Sequence, residues 1–134
     1  MISPISGIVD HIEEQRFGVY IRGPFDEKQD DHSIYAPEDG NFTVEAFDGV
    51  LTTAEKFVAK QGKVGKLTFN FAHIKFDVLV GEGYVTDQII VYKMYSKPKK
   101  GGKIGYIVVG SYAFIYSKKA PKKGTVLIGG VSVI

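Results

Sequence analysis

Apolar residues recur at every second position in four stretches: Phe17, Val19 and Ile21; Leu67, Phe69 and Phe71; Ile74, Phe76 and Val78; and Tyr112, Phe114 and Tyr116. A period of two puts such residues on one face of an extended strand, whereas a helix needs 3.6. Turn-forming runs separate the stretches: Arg22-Gly23-Pro24, Glu38-Asp39-Gly40, Gly81-Glu82-Gly83, and the Lys- and Gly-rich residues 97–102 and 118–124. Short strands divided by Gly and Pro turns about every ten residues predict an all-β sandwich or small barrel. One segment breaks the pattern, residues 52–59 (TTAEKFVA), where Thr52 or Thr53 can cap a helix and Glu55 can enter its first turn. At most one short helix is expected, and it is expected there. The eight Tyr and nine Phe, placed in period-two runs, read as core and cross-strand packing rather than as a base-stacking platform.

A chain of 134 residues buries about two-thirds of its unfolded surface. No linker divides it, so residues 1–134 are expected to form one domain. The absence of cysteine excludes a disulfide framework, a cysteine zinc site and a thiol nucleophile. Only three histidines occur, His11, His32 and His73, and none has metal-ligand spacing, so no metal site is expected. Phosphate-cradling glycine loops are missing too, which leaves nucleotide chemistry without support. The opening MISPISGIVDHIEE has neither a basic start nor a continuous apolar core, and no window approaches the ~20 apolar residues of a membrane span. A soluble cytoplasmic protein, at most peripheral at a membrane, is the expectation.

Charge is distributed unevenly. Residues 1–87 hold eight basic and all 15 acidic residues, a net of −7; residues 88–134 hold nine basic residues and no acid, +9. Such polarity either pairs the two halves of one barrel or steers an acidic partner to the C-terminal part, and the first reading is preferred. Two Lys-rich turns, residues 97–103 (KPKKGGK) and 118–123 (KKAPKK), are the places where an anionic lipid surface or an acidic protein would be met. Nucleic acid is not expected, because aromatic and basic residues do not interleave as an RNA-binding motif requires. A homo-oligomer or larger assembly is compatible with the composition.

Between those two turns lies the pair with chemical potential, Gly110-Ser111, in the run KGGKIGYIVVGSYAFIY (residues 100–116). A small hydroxyl after glycine inside an apolar strand is either a bulge or a self-cleavage site. Serine is a poor nucleophile without a base, so its partners matter. His32, in DDHSIYAPEDG (residues 30–40), sits at a strand entry before a proline turn, a suitable place to present a side chain; His73, in FNFAHIKF, reads as a strand residue.

Five segments taken together, ISPISG (2–7), the spacing of Asp30, His32, Pro37 and Gly40, VGEGYV (80–85), KGGKIGYIVVGS (100–111) and KKGTVLIGG (122–130), resemble the phosphatidylserine decarboxylases. Order and spacing are similar to the short bacterial and archaeal members, over nearly the whole chain. The resemblance implies a β-rich domain like the barrel-sandwich of lipoyl and biotinyl carriers. It also implies that Ser111 attacks the Gly110 carbonyl, that chain cleavage leaves a pyruvoyl group derived from Ser111, and that His32 serves the decarboxylation of phosphatidylserine to phosphatidylethanolamine. The pyruvoyl carbonyl would act as an electron sink.

The chain departs from that pattern where the cleavage machinery is expected. The family's opening motif carries an aspartate that orients a histidine, and here the position is Ser6; a second histidine found in many members is replaced by Tyr35; an Asn-Glu-Arg triplet is missing from residues 47–66; and the residue after the serine is Tyr112. Asp10, Asp30 and Asp31 are the nearby carboxylates left to substitute. Losing a general base costs about 10²- to 10⁴-fold in rate. The expectation is therefore a decarboxylase-like domain without self-processing or cofactor, serving as a structural, binding or regulatory module; the alternative is an active pyruvoyl-dependent decarboxylase. A biotinyl carrier reading fails because Lys93-Met94 sits in an apolar run rather than at a hairpin tip.

Overall fold

The computed structural model describes residues 1–21, 32–52, 55–81, 88–92, 98–108 and 112–134. Among the described residues the chain is all-β. The described residues form twelve strands, β1 (Gly7–Ile12), β2 (Phe17–Tyr20), β3 (Ser33–Tyr35), β4 (Thr43–Phe47), β5 (Gly49–Leu51), β6 (Lys56–Ala59), β7 (Gly65–Asn70), β8 (Lys75–Val80), β9 (Ile89–Val91), β10 (Lys103–Ile107), β11 (Tyr112–Tyr116) and β12 (Val126–Leu127). They form two antiparallel sheets, a seven-stranded one in the order β12-β1-β2-β11-β8-β7-β4 and a five-stranded one in the order β3-β10-β9-β6-β5. Strands of the basic C-terminal third are thus interleaved with strands of the acidic part, β11 lying between β2 and β8.

Three of the four alternating stretches place their apolar residues inward as expected. Phe17, Val19, Leu67, Phe69, Phe76 and Val78 are fully buried. The Phe69 and Phe76 rings, directly opposite on β7 and β8, stack at 4.8 Å between centroids. Burying aromatic rings is the largest single source of core stabilisation available to a chain of this composition.

The fourth stretch is in the opposite phase. Ala113 and Ile115 are the buried residues of β11, while Tyr112, Phe114 and Tyr116 face outward and are half-buried. Packing explains the reversal: Ala113 lies between Val19 and Val78, and Ile115 between Phe17 and Phe76, so the inner side of β11 is already filled. The expected helix at 52–59 is also corrected. Residues 56–59 are strand β6, which pairs with β5 through Leu51 opposite Phe57. Thr52 uses its Oγ1 to accept the Lys56 N–H at 3.3 Å, and its carbonyl accepts the Glu55 N–H at 2.8 Å, with Glu55 at φ 62°. These are the bonds of a hairpin turn. Complete burial of Phe57 on the strand outweighs the local capping preference. Residues 53 and 54 lie outside the described residues.

Outward aromatics of β11 are tied down by polar bonds. The Tyr112 hydroxyl donates to Asp10, and the Tyr116 hydroxyl donates to Asp77 Oδ2 at 2.8 Å, while Asp77 Oδ1 accepts from Thr68 at 2.6 Å. Burial and then the carboxylate bond push both phenols above the ordinary value of 10. A phenol raised in the folded state keeps its contribution below its unfolded value and loses it as pH rises through the folded one. Stability measured by urea unfolding is therefore expected to be flat from pH 7 to 9 and to fall above pH ~10, with the fall reduced in Tyr112→Phe/Tyr116→Phe. In the same assay Phe69→Ala is expected to cost about 3–5 kcal/mol, as for a buried ring.

Candidate functional site

Four of the five segments that carry the family resemblance meet at one place. Proline at position 4 has no N–H, so the chain there can only accept; the Pro4 carbonyl receives the Tyr35 N–H at 2.9 Å. Ser3 exchanges bonds with the C-terminal segment, its N–H donating to Ser132 at 2.7 Å and its carbonyl accepting from Gly130 at 2.8 Å. Beyond β3, Ala36 donates to Gly102 at 2.8 Å and accepts from Gly101 at 2.9 Å, and the Lys100 N–H reaches Asp39 Oδ1 at 2.7 Å. Residues 2–7, 33–40, 98–102 and 127–132 are thereby knitted into a single clasp. Most of the fifth segment, residues 82–85, lies outside the described residues.

Within the clasp, Ser6 is buried and its Oγ accepts the Gly129 N–H at 2.8 Å. Tyr35 lays its ring across Gly129 and Gly130: a Cβ at either glycine would fall 2.8 Å from a ring carbon, and Gly130 has φ +76° besides. Only glycine fits both the contact and the backbone angle. Two of the positions where the chain departs from the family pattern, Ser6 and Tyr35, are thus used to hold the Gly129-Gly130 turn. The sequence signalled this only as a double glycine, whose partner could not be read from spacing.

His32 stands at the entrance to β3. Its carbonyl accepts the Ile107 N–H at 2.7 Å from β10, the strand that leads toward Gly110-Ser111. The imidazole packs against Tyr106 with centroids 5.8 Å apart and a tilt of 48°. Its Nδ1 is buried and has no hydrogen-bond partner among the described residues. Gly110 and Ser111 themselves, with Asp30, Asp31, Lys93 and Lys97, lie outside the described residues. Asp10 is on the outer face of the seven-stranded sheet, bonded to Tyr112.

Tyr112, the residue after the serine, therefore has a place of its own: its ring covers Gly18, where a Cβ would lie 2.8 Å from Cε1. His73 is found in the turn between β7 and β8 rather than in a strand. Its N–H donates to Glu38 Oε1 at 2.9 Å, and its Nδ1 is 3.2 Å from Oε2. That buried carboxylate anchors the turn.

No group of three potential metal ligands occurs among the described residues. Of the Lys-rich turns, Lys99, Lys100, Lys118, Lys119, Lys122 and Lys123 are exposed. An open depression of ≈ 440 Å³ lined by His73, Tyr116 and Lys118 contains neither His32, Ser6 nor Tyr35. Among the described residues no helix is long and apolar enough to cross a membrane.

Fold and site together define an all-β domain of two antiparallel sheets, closed by a clasp between its N-terminal segment, the β3 turn and its C-terminal segment. No family model, curated protein or solved structure matches the chain.

Removing the Ser6 hydroxyl leaves the buried Gly129 N–H unpaired. Ser6→Ala is expected to cost about 1–3 kcal/mol in urea unfolding. Gly129→Ala should destabilise by a similar amount, about 1–3 kcal/mol as for overpacking, and combining it with Tyr35→Ala should cost less than the sum of the two single changes.

Proposed function

We infer that this chain is a phosphatidylserine-decarboxylase-like domain of the barrel-sandwich kind that has lost self-processing and works as a structural, binding or regulatory module. The observation that carries this reading is the clasp: segments far apart in sequence, each matching the family pattern, pack together, and Ser6 there spends its oxygen on the Gly129 N–H. A hydroxyl committed in this way supplies no carboxylate to orient a histidine. Tyr35, seated on Gly129 and Gly130, likewise supplies no second base. A scaffold of this type keeps its packing after its chemistry has gone, because fold and reaction are separable.

One observation favours the second reading, an active pyruvoyl-dependent decarboxylase cleaved at Gly110-Ser111. His32 Nδ1 is buried without a partner among the described residues, and a buried polar atom left unpaired is costly unless something uses it. Intact mass spectrometry of freshly purified protein separates the two. The non-processing reading expects a single mass near 14.8 kDa that persists through mild heating and a change of pH. Conversion to chains ending at Gly110 and beginning at position 111, blocked by Ser111→Ala, would overturn it and establish the enzyme.

A further inference from the structure

The register of the seven-stranded sheet lines up one outward residue from every strand. Val126 is opposite Ile8, Ile8 opposite Tyr20, Tyr20 opposite Tyr112, Tyr112 opposite Leu79, Leu79 opposite Lys66, and Lys66 opposite Phe47. Six of these seven are aliphatic or aromatic, although the face is turned to solvent: Val126 is 54%, Tyr20 50% and Phe47 42% exposed. Directly opposed side chains on a sheet lie about 4.5–5.5 Å apart, so the row is continuous. At ~4.8 Å per strand it is ~29 Å long. A solvated face of an antiparallel sheet ordinarily carries polar residues at such positions.

Charged groups in and beside the row each touch a neighbour in the chain. Asp10 accepts from Tyr112; Arg16 pairs with Glu13 at 3.1 Å and lies 3.8 Å over the Phe114 ring; Lys66 lies 4.5 Å over Phe47, and Lys75 4.3 Å over Tyr116. Asp10, Glu13 and Arg16 keep these partners when the face is covered, whereas Lys66 and Lys75, which rest on rings and have no carboxylate partner among the described residues, must keep their ammonium groups in water while their stems are covered. With a single Lys among the seven residues of the row, the face offers few cations to a nucleic acid or an anionic lipid surface, both of which need several. What fits is another protein surface rich in Tyr, Phe and Arg.

A second copy of this chain supplies that surface. Tyr112, on β11, has three strands on either side. A two-fold axis parallel to β11 lays Val126 on Phe47, Ile8 on Lys66, Tyr20 on Leu79 and Tyr112 on Tyr112, a self-complementary contact of the kind a two-fold dimer requires. The footprint, ~29 Å by the ~17 Å length of a five-residue strand, is ~500 Å² per copy, or ~1,000 Å² for the pair. That is at the lower bound for a specific interface, in the size range of weak, transient association. We propose that the outer face of the seven-stranded sheet, centred on Tyr112, is a homodimer interface. The interface stands whichever way the Gly110-Ser111 bond behaves.

Sedimentation velocity of the full chain from about 1 to 200 μM tests it. Wild type is expected to pass from monomer to dimer within that range. Tyr20→Glu should weaken the dimer at least about tenfold, while Val133→Glu, at a residue 79% exposed and off the row, should leave it unchanged. Because a charge at position 20 can also disturb folding, a second measurement uses the absence of native cysteine. Tyr20→Cys and Leu79→Cys proteins, mixed under oxidising conditions, should cross-link to each other faster than either does to itself. A monomer at every concentration overturns the proposal, as does a dimer indifferent to Tyr20→Glu. A monomer that instead sediments with phosphatidylserine vesicles, and loses that ability in Tyr20→Glu, overturns it in favour of a lipid surface.

Discussion

Insertion of β11 between β2 and β8 is the constraint from which the rest of the structure follows. A strand from the last quarter of the chain is paired on one side with residues 17–20 and on the other with residues 75–79, so the sheet cannot close until distant segments have met. Ala113 and Ile115 complete the core between Val19, Val78, Phe17 and Phe76. The pairing also brings the basic end of the chain into the acidic part, where Tyr112 and Tyr116 bond to Asp10 and Asp77.

The clasp depends on a different physics, that of obligatory backbone bonds. Residues 2–7, 98–102 and 127–132 form little regular strand, and where the chain is buried, as along residues 3–7, its N–H and carbonyl groups must be paired. They pair with one another and with the edge of β3, which is why Ser, Pro and Gly dominate there: Ser3 and Ser6 supply oxygens, Pro4 removes a donor, and Gly129 and Gly130 make room for Tyr35. Residue types that suggest chemistry when read singly are, in this setting, accounted for by geometry.

All-β character was legible in the sequence because Thr68 and Asn70, and Lys75 and Asp77, alternate with the apolar residues of the stretches at 67–71 and 74–78, and only one phase buries the apolar side. The β11 stretch, YAFIY, is apolar on both faces, so periodicity identifies a strand and says nothing about which face is inside. Residues 52–59 were illegible for the opposite reason. Thr52 and Glu55 bond locally as a helix cap would, and only the burial of Phe57 against another sheet element decides for the hairpin. The meeting of the motif segments was foreshadowed by their shared resemblance, but the seat of Tyr35 on a glycine pair ~95 residues away is a tertiary fact that no local pattern carries.

Phase and surface are linked through β11. Ala113 and Ile115 occupy the inner side of the strand, opposite Val19 and Val78 and opposite Phe17 and Phe76, and the larger rings face outward. Outward rings must then be covered by something. Arg16 over Phe114 and Lys75 over Tyr116 cover two, and Tyr112 lies down over Gly18, where the missing side chain leaves space. Along the row through Tyr112, Lys66 lies over Phe47, and Val126 and Tyr20 stay open to solvent. Tyr112, at the centre of the apolar row, thus faces outward because Ala113 and Ile115 hold the inner side of β11, and a symmetric partner is the cover that requires no residue beyond those the chain already has.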